Sequence, residues 1–208
     1  PINLRLEESK TTSLTVRWDP PSKVYSIYKY KLSIENNKLE YKSLIELPSD
    51  RTIHNFTKLP EVLGTGNVFR VSLCTAIVNL TGEKEVQSPI VEASFYTKPL
   101  PPTNLRVIEN PSPTLTWIAS PSPLVCGYKV KVKSSEEGSK ADETIIQAIQ
   151  GADNCSCPLS TVLVPGIMYK VTILALVENA VGDLYESKDL HEKIIRRSTD
   201  VPISIFVE

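Results

Sequence analysis

The chain repeats itself with a period of about one hundred residues. The stretch VLGTGNVFRVSLCTAIVNLTG at 62–82 returns as VLVPGIMYKVTILALVENAVG at 162–182, with the glycine, aromatic, aliphatic and asparagine positions in the same register. Upstream the spacing drifts by one or two residues, so that Trp18 corresponds to Trp117. An internal repeat of this length predicts two copies of one domain, each with its own core.

Within each copy, large apolar residues alternate with polar ones at a period of two. This pattern is typical of short strands with one buried and one solvated face. Proline and glycine clusters such as Asp19–Ser22 and Ser120–Pro123 separate the segments. Helical spacing is nearly absent, and the stretch 143–149, which fits either period, is predicted as an edge strand. An antiparallel two-sheet sandwich per copy follows.

Prolines mark the boundary between the copies. The segment 97–102 reads TKPLPP, and its prolines cannot donate to a sheet and hold the backbone extended. We therefore predict one domain at 1–98, a short semi-rigid linker at 99–101 and a second domain at 102–200. Residues 201–208 are predicted to be a tail or the start of a further domain.

Charge and hydropathy narrow the choice of partners. The chain has 23 Lys and Arg against 24 Asp and Glu, for a net charge of −1. Since no basic excess exists to neutralise phosphates, neither a nucleic-acid partner nor direct contact with an anionic membrane is expected. No uninterrupted apolar run approaches the roughly 18 residues that would span a bilayer.

The sequence contains few residues that could support catalysis. The two histidines, His54 and His191, fall in different copies, where they are not expected to meet. Neither a phosphate-binding glycine loop, nor a nucleophile motif, nor a metal-spaced histidine cluster is present in the sequence. We predict that the chain is not an enzyme and holds no metal or cofactor.

Several features together resemble the fibronectin type III family over nearly the whole chain. They are the opening PTNLRV at 102–107 (PINLRL at 1–6), the tryptophan of the second strand, LVPGIMY at 163–169 and the Asn-x-x-Gly turn. The resemblance implies an all-β chain of two seven-stranded immunoglobulin-like sandwiches in tandem.

The resemblance also implies roles for four aromatic residues. Trp18 and Trp117 are expected to lie in the two cores. Tyr169 would form a tyrosine corner, in which the hydroxyl bonds to the backbone while the ring packs inward. Phe69, its counterpart in the first copy, lacks that hydrogen bond, typically worth ~1 kcal/mol net, so the first copy is expected to hold this corner less firmly.

The cysteines are distributed unevenly. Cys126 precedes the third strand of its copy, while Cys155 and Cys157 stand near the start of the fifth, and the loops into those strands share one pole of such a sandwich. We predict a disulfide from Cys126 to Cys155 or Cys157, which requires an oxidising compartment. The alternative is buried free thiols in a cytosolic protein. Cys74 has outward parity and no cysteine partner in its copy, so it is a shielded thiol or an intermolecular link.

Three Asn-x-Ser/Thr sequons predict glycosylation at Asn55, Asn79 and Asn154. Asn79 falls in the hairpin after the sixth strand and Asn154 before the fifth strand of its copy. A glycan at Asn154 would compete with a disulfide at the neighbouring Cys155.

Two tyrosines on the loop after the second strand, Tyr25 and Tyr28, are candidate partner contacts, because loop aromatics are favoured anchors in interfaces. Tyr28 also has the parity of Tyr30 and can instead extend the core. An Arg-Gly-Asp triplet and a Trp-Ser-x-Trp-Ser run are both absent from the sequence.

These observations predict a non-catalytic, extracellular protein-recognition and spacer segment of a larger single-pass cell-surface receptor or adhesion protein, such as a receptor-type tyrosine phosphatase. Its partner would be a protein ligand or a homophilic partner on the cell surface, and a secreted matrix protein is also compatible. One alternative is a cytokine-receptor-like module that binds ligand at the elbow between domains. Another is an intracellular scaffold of such domains.

Overall fold

The computed structural model describes residues 1–22, 28–61, 64–78, 85–108, 114–134, 142–147, 154–159, 167–179, 182–187 and 191–196. Secondary structure in these segments is almost entirely strand, with one short 3-10 helix at Asn37–Leu39. Among the described residues, no helix is long and apolar enough to cross a membrane.

The strands from the first copy share short lengths and alternating burial. They are β1 (Ile2–Ser9), β2 (Leu14–Asp19), β3 (Lys29–Asn36), β4 (Tyr41–Pro48), β5 (Ile53–Phe56), β6 (Val68–Val78), β7 (Glu85–Gln87) and β8 (Val91–Tyr96). Those from the second copy are β9 (Thr103–Ile108), β10 (Thr114–Ile118), β11 (Gly127–Ser134), β12 (Asp142–Gln147), β13 (Asn154–Pro158), β14 (Met168–Glu178), β15 (Leu184–Glu186) and β16 (His191–Arg196).

The chain divides into two compact units. The first contains Pro1–Leu100 together with Ser122–Leu124 and Val177–Lys188, and the second is built mainly from Pro101–Pro121 and Val125–Leu176. The domain boundaries expected from the proline positions remain predictions.

Strands β1 to β8 form two antiparallel sheets, ordered β1-β2-β5 and β4-β3-β6-β7, with β8 also paired to β6. The seventh strand of the sandwich is thus present as two segments, β7 and β8, that pair with successive parts of β6. The interruption contains Pro89, which has no backbone N–H to donate to the sheet.

Strands β9 to β16 repeat this topology, with sheets ordered β13-β10-β9 and β12-β11-β14-β15 and with β16 paired to β14. Strand β12 is an edge strand that pairs with β11, as the sequence predicted for this stretch. Two antiparallel sheets with the same strand order in both copies confirm the tandem of fibronectin type III sandwiches.

Each copy has its own hydrophobic core between its sheets. In the first, Trp18 packs edge-on against Tyr30 with ring centroids 5.3 Å apart, and in the second, Trp117 packs in the same way against Tyr128 at 5.4 Å. Both tryptophans are at most 2% exposed. The alternation of strand residues therefore fills two separate interiors with matching aromatic pairs.

Candidate functional site

The segment through which the chain leaves strand β8, Thr97–Leu100, is held to the rest of the first unit and is called the exit segment below. The backbone N–H of Thr97 donates to the carbonyl of Asn67 at 2.9 Å, and that of Lys98 donates to the carbonyl of Lys10 at 3.1 Å. The Leu100 N–H donates to the Ser122 hydroxyl at 2.8 Å. Three of its four residues are thus fixed by backbone hydrogen bonds.

The side chain of Thr97 ties the exit segment to the turn before β6. Thr97 is completely buried. Its hydroxyl donates to the Gly64 carbonyl and accepts from the Asn67 N–H at 3.0 Å. Buried hydroxyls with both roles satisfied hold neighbouring backbone segments in a fixed geometry.

The turn Gly64–Asn67, called the glycine turn below, is shaped by close packing. Gly66 has a φ of +58°, a left-handed conformation that favours glycine, and its N–H donates to the Lys98 carbonyl at 3.0 Å. A Cβ added at Gly66 would lie 3.1 Å from atoms of Pro99, Ser122 and Val177, which all belong to the first unit.

A hydroxyl pair completes the packing of the glycine turn. Oγ1 of Thr65 and Oγ of Ser122 are 2.7 Å apart, and both side chains are buried. The sequence pattern alone did not indicate this packing. The only signal was the retention of glycine at 66 and 166.

Tyr28 packs onto the first core. Its ring stands edge-on to that of Tyr30 at 5.3 Å, and its hydroxyl donates to the Ser49 carbonyl at 3.5 Å. Tyr28 also borders a cavity of about 500 Å³, called the pole pocket below. The pocket is lined by Pro1, Pro21, Ser22, Tyr28, Thr75, Ile77, Val86, Gln87 and Ser88. Tyr25, the other candidate contact, lies outside the described residues.

The outer face of the β4-β3-β6-β7 sheet carries ion pairs. Lys31 pairs with Glu85, and this hydrogen bond lowers the pKa of Glu85 to about 2. Lys29 pairs with Glu46 at 2.9 Å. Because water still reaches these partly exposed groups, the pairs add little stability, but they keep this face polar.

A second ion pair on the same face joins Arg70 to Glu35, and the hydrogen bond from Arg70 lowers the pKa of Glu35. Cys74 lies opposite Lys31 on the neighbouring strand and is 7% exposed, with its Sγ 3.8 Å from Oε1 of Gln87. Burial raises the pKa of the Cys74 thiol, which lowers its thiolate fraction at neutral pH.

The other three cysteines surround one end of the second core. Cys155 pairs across the sheet with Trp117 and Cys157 with Leu115, and both are partly buried against that core. Cys126 is exposed, with its Sγ 3.4 Å from the Leu176 carbonyl.

No disulfide joins the four cysteines, all of which lie in described segments. Burial raises the pKa of the Cys155 and Cys157 thiols, and Cys155 also hydrogen-bonds to the hydroxyl of Tyr128. The disulfide from Cys126 remains a prediction.

Two of the three sequons lie in described segments, and their asparagines are exposed. Asn55 lies on β5, at the edge of its sheet, and Asn154 is the first residue of β13. Asn79 lies outside the described residues. Glycosylation at all three asparagines remains a prediction.

The structure also places the remaining residues that the sequence analysis singled out. Phe69 is fully buried and stands edge-on to Tyr41 at 6.0 Å, while Tyr169 is 6% exposed. His54 is partly buried on β5 beside Phe56, and burial lowers its pKa. His191 begins β16. Among the described residues, no group of three or more His, Cys, Asp or Glu side chains could hold a metal.

Comparison with known proteins gives matches along most of the chain, although no family model matches it. The phosphatidylinositol phosphatase PTPRQ of Homo sapiens is 27% identical over 144 residues, which are 68% of this chain and 6% of that protein. A two-domain fibronectin type III segment of chicken tenascin is 19% identical with a TM-score of 0.48, covering 94% of this chain and 98% of that one.

The alpha chain of the chicken interferon gamma receptor is 15% identical with a TM-score of 0.42, over 95% of this chain and 98% of that one. Their names describe a phosphatase, a tenascin segment and a receptor chain. The matches therefore assign no activity to this chain. It is the strand order of its two pairs of sheets that gives the chain the fold of tandem fibronectin type III domains.

Proposed function

We propose that the chain is a non-catalytic, extracellular protein-recognition and spacer segment of a larger cell-surface receptor or adhesion protein. The observation that carries this proposal is the anchored exit segment. Backbone hydrogen bonds at Thr97, Lys98 and Leu100 hold the chain where it leaves the last strand of the first sandwich. Because the backbone is held there, the direction in which the chain leaves the first sandwich is fixed.

The prolines of the exit segment and linker add to this restraint. Pro99, Pro101 and Pro102 have φ fixed near −65°, so few conformations remain between the hydrogen-bonded residues and the next strand. Such a connection acts as a semi-rigid spacer, in contrast to a glycine-rich tether. The spacer would set the distance at which a partner-binding surface is presented.

Extracellular placement rests on separate features. Asn55 and Asn154 are exposed and stand in sequons, which are used in the secretory pathway. A disulfide from Cys126 would need the same oxidising environment, and Cys155 is the favoured partner because it contacts Tyr128, two residues along the chain from Cys126.

The recognition surface is proposed to be a pole of the first sandwich. Tyr28 and the exposed Val86 line the pole pocket there. Loops at the end of such a sandwich are common sites of protein binding. The partner would be a protein ligand or a homophilic partner.

The spacer role is testable by spin-label distance measurements. Labels at Thr57→Cys and Arg106→Cys, both exposed, are placed in a chain whose native cysteines are changed to serine. We expect a narrow distance distribution that broadens when Pro99 and Pro101 are both changed to glycine. Pro48→Gly, at the end of β4, is the matched control and should leave the width unchanged. A native distribution as broad as that of the double-glycine variant would refute the spacer role.

A further inference from the structure

Strand β4 forms one edge of the larger sheet of the first sandwich, and it is regular along its whole length. Its eight residues pair with β3 without a register shift, from Lys29 opposite Pro48 to Asn36 opposite Tyr41. Among the described strands, β3 is the only one that pairs with β4. The other side of β4 therefore presents a row of backbone N–H and C=O groups that can accept a further strand.

The other edges of this sandwich carry features that hinder pairing. The opposite edge of the same sheet is interrupted by Pro89, between β7 and β8. In the smaller sheet, β5 has only four residues, and β1 has two register shifts along its pairing with β2. Short strands, prolines and bulges protect sheet edges from pairing with other chains. The described residues 41–47 of β4 contain none of these three devices.

The side chains of β4 form two rows. The outward row is exposed and consists of Lys42, Leu44 and Glu46, with Leu44 62% exposed. The inward row is only partly buried, and it consists of Tyr41, Ser43, Ile45 and Leu47. Because side chains alternate along a strand, a strand added to β4 must place exposed residues opposite the outward row.

A second copy of β4 meets this requirement in an antiparallel register centred on Leu44. The two Leu44 residues then face each other, and Lys42 of each molecule lies opposite Glu46 of the other. A shift by two residues places Lys42 opposite Leu44 or Pro48 and loses both ion pairs. Charges guard an edge when like charges meet, but opposite charges facing across strands stabilise the pairing. This register therefore makes β4 self-complementary.

Both charged side chains can take the new partner without losing the present ones. Nζ of Lys42 is 3.8 Å from the Glu35 carboxylate, and the Lys42 side chain is 71% exposed. The Glu46 carboxylate is 2.9 Å from Nζ of Lys29 and 3.8 Å from that of Lys31, and the Glu46 side chain is still 50% exposed. Since an ammonium has three donors and a carboxylate about four acceptor sites, pairs between molecules would add to these contacts.

The corresponding edge strand of the second copy has a different charge pattern. Strand β12 also forms an edge, and among the described strands it pairs only with β11. Its sequence, DETIIQ, contains two acidic residues and no basic one. Two copies of β12 could not form an ion pair in any register. The self-complementary edge is thus a property of the first copy.

We propose that β4 is a homophilic docking edge, at which two molecules pair antiparallel about Leu44 and join their larger sheets into one. This proposal rests on the proposed cell-surface function and gives its homophilic partner a defined surface, separate from the pole pocket. A single pair of edge strands buries less area than a standard protein interface, so the contact is weak between free molecules. It gains strength when many copies are held on one surface.

Analytical ultracentrifugation of the 208-residue chain tests the register by charge reversal. In a dimer of identical chains, Lys42→Glu places like charges at both ion-pair positions, and so does Glu46→Lys. We expect each variant to raise the dimer Kd at least about tenfold, because like charges directly opposite each other destabilise strand pairing. An equimolar mixture of the two variants should associate as well as the native chain, because unlike charges then meet at both positions.

Matched controls make the same charge changes elsewhere in the first copy. Glu92→Lys lies on β8 of the same sheet, and Lys58→Glu follows β5, and both positions are exposed. Neither change should alter the dimer Kd. If the controls weakened association as much as the β4 variants, the effect would be one of net charge and the proposal would be wrong.

Other results would also overturn the proposal. A native chain that stays monomeric up to about 1 mM would exclude homophilic docking, while the spacer role would still depend on its own distance measurement. Self-association that survives both charge reversals, or a mixture that fails to restore it, would place the contact on another surface.

Cross-linking gives a second readout of the same geometry. In a chain whose native cysteines are changed to serine, Leu44→Cys should form a disulfide-linked dimer at least about tenfold faster than Ser94→Cys, an exposed position on β8. The reason is that the two Leu44 positions face each other at a separation that a disulfide can span. With circular dichroism showing that both variants fold, equal rates would contradict the proposed register.

Discussion

The two copies are alike inside and different outside. Trp18 meets Tyr30, and Trp117 meets Tyr128, at the same interplanar angle of 71°. On the outward face of the sixth strand, however, the first copy has Cys74 where the second has Leu174. The aromatic pair of each core is thus retained, while the residue at this outward position of the sixth strand differs. The difference indicates that the interior fixes the fold, while the outer faces and poles carry the specialisation.

The largest expected effect comes from the duplicated aromatic pair. Trp18→Ala should lower the free energy of unfolding of the first copy by about 3–5 kcal/mol, because it leaves a large cavity beside Tyr30. Urea unfolding followed by the fluorescence of Trp117, the one tryptophan left, should show a much smaller shift for the second copy.

Trp117→Ala is the matched variant and should show the reverse, with Trp18 as the reporter. Trp18→Phe, which keeps an aromatic ring in the core, should cost less than Trp18→Ala. If either alanine variant moved both transitions equally, the two cores would not be energetically separate, and the comparison between the copies would fail.

The cysteines of the second copy should give the next largest effect. A disulfide from Cys126 to Cys155 closes a loop of roughly 30 residues and should stabilise the second copy by about 3.5 kcal/mol. Peptide mapping by mass spectrometry without reduction, after secretion from mammalian cells, should find this link. Cys155→Ser should remove the stabilisation, and Cys157→Ser should retain it. The opposite pattern would make Cys157 the partner, and four reduced thiols would contradict the oxidising compartment as well.

The fold was predictable because it depends on local alternation. Residues such as Val71 and Leu73 share the parity of Phe69, and the structure places all three in the first core. The packing of Gly66 was not predictable, because it depends on Ser122 and Val177, which are distant in sequence and meet it only in three dimensions. A repeat pattern shows that a glycine is retained, but it does not show what lies against it.

A smaller difference is expected at the start of the sixth strand. Tyr169→Phe should destabilise the second copy by about 1 kcal/mol if the predicted hydrogen bond from the Tyr169 hydroxyl to the backbone is lost. Phe69→Tyr in the first copy should bring no matching gain, because Phe69 is fully buried against Tyr41 and a new hydroxyl there must find a partner. Chemical unfolding of both variants measures this, and a neutral Tyr169→Phe would contradict the tyrosine corner.

The smallest effect is the contribution of His54 to the pH dependence of the stability of the first copy. Burial lowers the pKa of His54 below its ordinary value of about 6.5, so the unfolded chain binds the proton more readily than the folded one. The first copy should therefore lose stability as the pH falls through 6.5, and the loss should level off below the folded pKa. Urea midpoints at several pH values should show a slope that His54→Gln reduces. An unchanged slope would assign the effect to other groups.

The break in the last strand of the first sandwich has a consequence for proteins that string many such sandwiches together. An unbroken outer strand would offer a continuous row of free N–H and C=O groups, which can template sheet formation between neighbouring molecules. Since β7 and β8 are short and Pro89 has no N–H, the exposed row is divided. The interruption is therefore expected to reduce edge-to-edge pairing between neighbouring sandwiches.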